Sequence, residues 1–400
     1  MREKIATFLH HPFFSDYRTL FALWVLLPVF IFLKTYFHGV PDNTYDIFRY
    51  VYEHAVQQVT LYGEYLGEYT DENHYGPFFS IFVAPFAVLP LWAGYALWLL
   101  AMTMFLYFAI RISGFSKERQ VFILWFCAVE MLNCIFQAQF NGVIAAIILL
   151  SYVLVERERD EWATLALLVG TFIKLYGIVG LAFFFFSRHK LKFVLSCIGW
   201  SVVLFCLPML ISSPQYIIQQ YADWYESLAV KNQLNITSWD QNISLLGIVR
   251  RWSGCQTYSD LWVIIPGLLL FAATYFRTSQ WQHVAFRETV AASVMMFVTL
   301  FSTGTESYGH IISMLGVAIW YTAAPWKRTK WDVALLIFAF ILTSMSPSDL
   351  FPAYLRKTYV IPYSLKALPI TLIWFKLCYE MLTKDYAAKT EEPAIESHLP

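Results

Sequence analysis

Asp46, Arg49, Glu53 and Gln57 fall at helical spacing on one side of a helix, and Ile47, Val51, Ala55 and Val59 fall on the other. Pro41-Asp42-Asn43-Thr44 supplies a turn and N-capping residues before them, so Asp46 belongs to the first helical turn. A carboxylate there gains from the helix dipole and from Arg49 one turn on, and both favour the ionised form that can take a proton. The plainer reading is a first-turn acid on an interfacial helix. His74-Tyr75-Gly76-Pro77 follows in the same interruption of the apolar pattern, which runs over residues 45–90. A second interruption, 212–259, carries Trp239, Asp240, Asn242, Arg250 and Arg251. Glu130 and Lys174 lie well inside apolar runs, where an unpaired charge costs roughly 2.5–3.5 kcal/mol. They are expected either to pair with each other or, for Lys174, to line a cavity.

The elements that must position these groups are membrane helices. Of 400 residues, 58% are hydrophobic, 19% aromatic and only 14% charged, and apolar runs of spanning length recur from end to end. The reading is an all-α polytopic integral membrane protein of about twelve spans, with residues 1–383 as one transmembrane domain. The first run, 19–37, lacks a small-residue cleavage site and reads as an uncleaved first span. Two long loops, 38–77 and 212–259, are expected on one face, and 384–400 as a disordered cytoplasmic tail. Arg188-His189-Lys190-Leu191-Lys192 is the clearest basic loop and, with Trp326-Lys327-Arg328-Thr329-Lys330, orients the chain by the positive-inside rule. Both termini are then cytoplasmic and both long loops extracytoplasmic, in a cell membrane. Net charge is zero with no basic block, which argues against nucleic acid as a partner. The six cysteines show no CxxC spacing and read as core residues. There is no GxxxxGK loop, no HExxH pair and no Asp-x-Asp pair, so an ATP-driven pump, the commonest intramembrane zinc hydrolase and a metal–nucleotide-sugar site are disfavoured.

The ordered set Tyr45-Asp46 with Tyr50, Tyr75-Gly76-Pro77, Pro85 and Leu89-Pro90 resembles the start of glycosyltransferase family 87. Ala138-Gln139-Phe140-Asn141 is similar to that family's Gly-Gln-x-Asn, and Lys174-Leu175-Tyr176-Gly177 to its Lys-x-x-Pro. Asn242-Ile243-Ser244-Leu245 through Arg250 resembles Asn-Gln-Ser-Leu…Arg, and Ser307-Tyr308-Gly309-His310 a Ser/Trp/His-rich span start. The resemblance covers about residues 20–325. Ala138, Gly177 and Ile243 depart from the family's Gly, Pro and Gln.

This resemblance implies a GT-C-type helical bundle and a mannosyltransferase-like hexosyltransferase. Such an enzyme moves a sugar from a polyprenyl phosphate to a glycan or glycolipid hydroxyl on the extracytoplasmic face, with inversion. The implied base is an acid of the first outer loop, which matches Asp46, with Asp42 next and Asp71 and Glu72 behind them. The leaving phosphate needs cations and donors. Arg250, Arg251, Arg49, His310, Asn242 and Lys174 are the candidates, with His74, Tyr75, Gln139 and Asn141 on the substrate side. The arginine pair reads equally as a headgroup anchor, and His310 as a donor to a backbone carbonyl. The expected partners are the lipid-linked donor, its acceptor and membrane lipids. No cofactor beyond the co-substrate is implied, and the need for a divalent metal stays open. The alternatives are a non-catalytic carrier or flippase for a polyprenyl-linked saccharide, and a structural subunit of an envelope assembly.

Overall fold

The structure, a computed structural model, describes residues 11–38 and 43–387. The runner-up acid Asp42 and the tail 388–400 lie outside the described residues. Among the described residues all regular structure is helical. The helices used below are α1 (Tyr17–His38), α2 (Asn43–Gln57), α3 (Phe79–Ala87), α4 (Leu91–Ile112), α5 (Lys117–Phe136), α6 (Asn141–Glu156), α7 (Asp160–Lys174) and α8 (Lys190–Cys206). They continue with α9 (Pro214–Thr237), α10 (Leu245–Ser253), α11 (Leu261–Tyr275), α12 (Val284–Leu300), α13 (Ile311–Ala323), α14 (Lys330–Ala339) and α15 (Leu368–Thr383).

Helices α6 and α13 form the centre, because they are apolar all round and can be satisfied only by burial. Around them pack α4, α5, α7 and α12, with α15 against α12 and α13. The outer helices are apolar too, but their apolar side chains stay exposed. In α1 and α8 only 22% and 17% of the most hydrophobic stretch is covered by protein, so those faces meet lipid. Among the described residues four helices are long and apolar enough to cross a membrane, or five if the pair 353–360 and 365–383, bent by 90°, is one span. The chain is a helical membrane protein.

Several expected features take another form. The apolar run 162–186 is not one helix: Leu175, at φ 55°, ends α7, and Tyr176–Phe186 continues as a 3-10 segment. Gly177 makes that turn possible, since a Cβ there would lie 2.3 Å from the Leu167 carbonyl oxygen. This is the position where the family pattern has proline. The second long loop is largely helical, because α9 and α10 occupy most of 212–259. Helix α2 has the two faces expected of it, but its apolar face is turned into the protein. Ile47, Val51 and Ala55 are buried, and the helix packs on α3 rather than resting on a membrane surface. The tail is packed at its start: the Tyr386 N–H donates to Gln280 Oε1, and its ring lies between Phe286 and Trp326.

One end of the bundle is bound by ion pairs. Arg119 meets Glu288 at 2.8 Å, Arg287 meets Glu156 at 2.6 Å, and Arg328 meets Glu380 at 3.1 Å. The opposite end, where α5, α7 and α12 finish and α2, α6 and α13 begin, is hollow.

Candidate functional site

The hollow end holds a cavity of about 340 Å³, within the usual range for small-molecule sites. Each wall comes from a helix end or the segment after it. Asn43, Thr44, Ile47 and Phe48, at one-turn spacing, bring the start of α2 to it. Leu228, Lys231, Asn232 and Asn235 do the same from α9, and Ser302, Thr303, Gly304, Glu306 and Tyr308 close it from the link between α12 and α13.

The segment 71–75 forms one wall, and backbone contacts fix its place. Asn43 exchanges hydrogen bonds with Thr70, accepting from its N–H at 2.7 Å and donating to its carbonyl. Gly76 N–H donates to Ile173 O at 3.0 Å, so the segment docks on the last turn of α7. Only glycine allows that approach, because a Cβ at 76 would lie 2.1 Å from Phe172 O and 2.9 Å from the Trp224 ring. Phe48 then stacks on Tyr75 with ring centres 4.9 Å apart.

The wall is mixed in charge. Asp71, Glu72 and Glu306 supply carboxylates, and Lys174 and Lys231 supply ammonium groups. Glu306 accepts from Gln241 Nε2, which orients its carboxylate. The Asp71 carboxylate accepts the Glu72 N–H at 2.9 Å and lies 3.8 Å from Lys231 Nζ. Lys174 donates to Asn141 Oδ1 at 2.9 Å and lies 5.3 Å from the Tyr75 ring centre and 5.7 Å from that of Tyr176. His74 Nδ1 meets Ser227 Oγ at 3.1 Å, while its Nε2 is buried without a partner. Burial, reinforced by the Lys231 charge, pushes the His74 imidazole down to about 4, so it is neutral near pH 7. Aromatic faces suit the C–H faces of a sugar ring, and amides, carboxylates and ammonium groups suit its hydroxyls.

The structure gathers some of the residues singled out in the sequence and separates others. His74, Tyr75, Gln139 and Lys174 line the cavity, with Asn141 one bond behind Lys174. Asp46 is half-buried in the first turn of α2 and is not among the lining residues. It shares the outer side of that helix with Arg49, which pairs with Glu53 at 2.9 Å.

The arginines expected at a phosphate are consumed within the protein. Arg250 donates to Gln256 O, Tyr258 O and the Asp260 carboxylate, at 2.7 Å for the last, and lines a different hollow. Arg251 donates to the carbonyls of Ser238, Trp239, Gln241 and Ile361. Both hold α10 to the irregular backbone around it, whose carbonyls have few other donors. Asp46 and Arg250 therefore do not face each other across the cavity. His310 is fully buried and bridges Ile243 O at 2.9 Å and Ser313 Oγ at 3.2 Å. Asn242, at φ 54°, is a buried turn residue whose N–H donates to Thr303 O. Glu130 does not pair with Lys174; its partner is Lys366, at 2.8 Å.

Sequence reasoning missed Glu306, Tyr176, Lys231, Asn232 and Asn235 as lining residues and passed over Asp71 and Glu72 as loop acids. The signal for α9 was present, since Leu228, Lys231, Asn232 and Asn235 share a helical stripe. Among the described residues no group of three His, Cys, Asp or Glu side chains is placed to hold a metal ion.

Comparison with curated proteins gives no match. The sequence pattern of glycosyltransferase family 87 matches residues 73–303, more than half of the chain, and this stretch contributes His74, Tyr75, Gln139, Lys174 and the α9 stripe to the cavity. A helical membrane bundle with a carboxylate- and aromatic-lined hollow at one end, matched over that length, is a membrane glycosyltransferase and belongs to glycosyltransferase family 87.

Proposed function

We propose that the protein transfers a hexose, mannose in the first instance, from a polyprenyl-phosphate donor to a hydroxyl of a glycan or glycolipid. The transfer takes place at the extracytoplasmic face of the cell membrane. The acceptor oxygen attacks the anomeric carbon and the carbon–oxygen bond to the phosphate breaks. The bonding pair leaves with the polyprenyl phosphate, the hydroxyl proton passes to a carboxylate, and configuration inverts. The sugar-bearing lipid is a co-substrate, and this reading uses no resident cofactor.

The observation that carries the reading is a hollow at one end of the bundle in which carboxylates, amides and aromatic rings converge. It lies at the end of the bundle remote from Arg188, Lys190, Lys192, Lys327, Arg328 and Lys330, which supports an extracytoplasmic site with both termini on the other side. Asp46 is proposed as the base. It holds the position that the family resemblance implies, in the first turn of the helix whose Asn43, Thr44, Ile47 and Phe48 line the cavity. A second reading, favoured by cavity lining, gives that role to Glu306, oriented by Gln241.

The experiment is sugar transfer by the purified full chain from polyprenyl-phosphate mannose to a lipid-linked glycan. Asp46→Asn should lower turnover by about 10²–10⁴ with KM little changed. If Glu306→Gln shows that loss and Asp46→Asn does not, the base is Glu306. Transfer only from a nucleotide sugar would overturn the donor assignment, and translocation without transfer would favour a carrier.

A further inference from the structure

Gly304 lies in the link between α12 and α13, and the physical reasons that usually require glycine are missing there. Its φ lies outside the left-handed region, unlike those of Gly114 and Gly254. No backbone crowds it either. A Cβ at 304 would have side-chain polar atoms as its three nearest neighbours: Tyr176 Oη at 3.4 Å, Asn235 Nδ2 at 3.6 Å and Ser302 Oγ at 3.6 Å. Those are ordinary contact distances, in contrast to 2.1 Å at Gly76 and 2.3 Å at Gly177. The fold would accept a methyl group at this point. What glycine leaves instead is a notch ringed by three polar groups, and all four residues line the hollow.

The protein satisfies the groups around this notch only in part. Asn235, on the last turn of α9, is 4% exposed, yet its amide oxygen has no hydrogen-bond partner among the described residues. Buried amides are rarely left so, because their lost hydration is returned only when a partner arrives. By turning about its last bond the amide offers either its oxygen or its nitrogen to that partner. Tyr176 Oη and Ser302 Oγ lie 3.0 Å apart, and Ser302 Oγ also accepts the Gly304 N–H at 3.2 Å. Either hydroxyl can donate in the Tyr176–Ser302 contact, so the pair adapts to a guest that gives or takes a hydrogen bond. Together the three suit one small group that both donates and accepts, which is a hydroxyl. The Phe48–Tyr75 stack on another wall of the same hollow offers an apolar face to the ring that carries it.

We propose that the notch at Gly304 is a specificity site that reads one hydroxyl of a substrate hexose, with Asn235 as its hydrogen-bonding arm. This inference rests on the sugar-transfer reading above and adds which residues distinguish a sugar from its deoxy analogue. The match with the family pattern ends at residue 303, one position before the glycine that makes the notch. The hydroxyl belongs to the transferred sugar or to the acceptor, and deoxy positions placed on one substrate at a time separate the two.

The test measures kcat/KM for the purified full chain with mannosyl polyprenyl phosphate and a lipid-linked glycan, each also supplied as its monodeoxy analogues. Wild type should prefer the parent over one analogue by about a hundredfold or more, because the missing hydroxyl leaves a buried polar group unpaired. Whether that analogue is a donor or an acceptor names the source of the hydroxyl. Gly304→Ala, which fills the notch, and Asn235→Leu, which removes the arm, should each lower kcat/KM for the parent and cut the preference to about tenfold or less. Turnover of the analogue and the unfolding temperature should stay near wild type in both. Equal losses for parent and analogue, together with a lower unfolding temperature, would mark a purely structural role and overturn the proposal. Full preference in either variant would overturn it too, as would a wild type indifferent to every deoxy position, whose notch holds water only. If wild type transfers nothing from the mannosyl donor, the donor reading falls instead, and saturation-transfer NMR with methyl mannoside decides the notch. Contact that Gly304→Ala abolishes sustains it; contact left unchanged, or none in wild type, removes it.

Discussion

Glu130 and Lys366, 236 positions apart in the chain, meet at 2.8 Å inside the bundle. Asn133 Nδ2 donates to the other carboxylate oxygen at 3.0 Å, and Lys366 also donates to Ser307. A buried pair of this kind adds little net stability, but removing one partner strands the other in an apolar interior. Glu130→Gln or Lys366→Met alone should destabilise the protein by about 3–5 kcal/mol, and the double substitution should recover most of that loss. Thermal unfolding in detergent measures it, and additive losses would reject the coupling.

Arg250 gives a prediction opposite to the one its sequence position suggests. Because its guanidinium is tied to Asp260 and two carbonyls, Arg250→Ala should act on stability, again by about 3–5 kcal/mol. Transfer per folded molecule should stay near wild type, with KM for the lipid donor unchanged. A selective rise in that KM at unchanged unfolding temperature would sink this view.

The His74 imidazole is held down at about 4, against about 6.5 in an unfolded chain. Between those values the unfolded state binds the extra proton, so the contribution is complete above about pH 6.5 and is lost as pH falls towards 4. His74→Gln should flatten the stability profile over that window. Unfolding temperatures measured from about pH 7.5 to 4 decide it; a variant profile parallel to wild type would count against a neutral, buried His74.

Orientation can be tested through a native thiol. Cys255 is exposed in the turn between α10 and α11, and hydrogen bonds from Thr257 hold its thiol below the usual range, which favours the reactive thiolate. A membrane-impermeant maleimide added to whole cells should label it. In a Cys255→Ser background, Asp71→Cys and Asn232→Cys should label from outside and Lys190→Cys should not. Outside labelling at Lys190→Cys would reverse the membrane orientation.

Helical class, the two faces of α2 and the two long interruptions were legible because they depend on local periodicity and composition. The Gly-Gln-x-Asn-like and Lys-x-x-Pro-like segments did lead to lining residues, since both sit at helix ends where a short motif fixes the geometry. Pairings were not legible. Glu130 could have met any cation in the interior, and spacing along the chain carries no information about a partner beyond residue 360. The arginines misled for a related reason. A guanidinium at an apolar boundary reads the same whether it awaits a phosphate or closes a turn, and only the carbonyls of 238–241 and 256–258 distinguish the two. Ala138 shows a third limit. It sits at φ 47°, where the family pattern has glycine, so its backbone demand persists although the residue that eases it has changed.

The docking of Gly76 on Ile173 also has a consequence for how the protein is made. The hollow draws on residues from Asn43 to Tyr308. During synthesis the early segment 71–75 must wait in an unfinished fold until α7 has emerged, and the carboxylate of Glu306 arrives long after both. A nascent chain therefore passes most of its insertion with no complete site. Released fragments ending before Tyr308 should be inert even when their helices are correctly inserted, so an interrupted chain cannot act prematurely on the lipids around it.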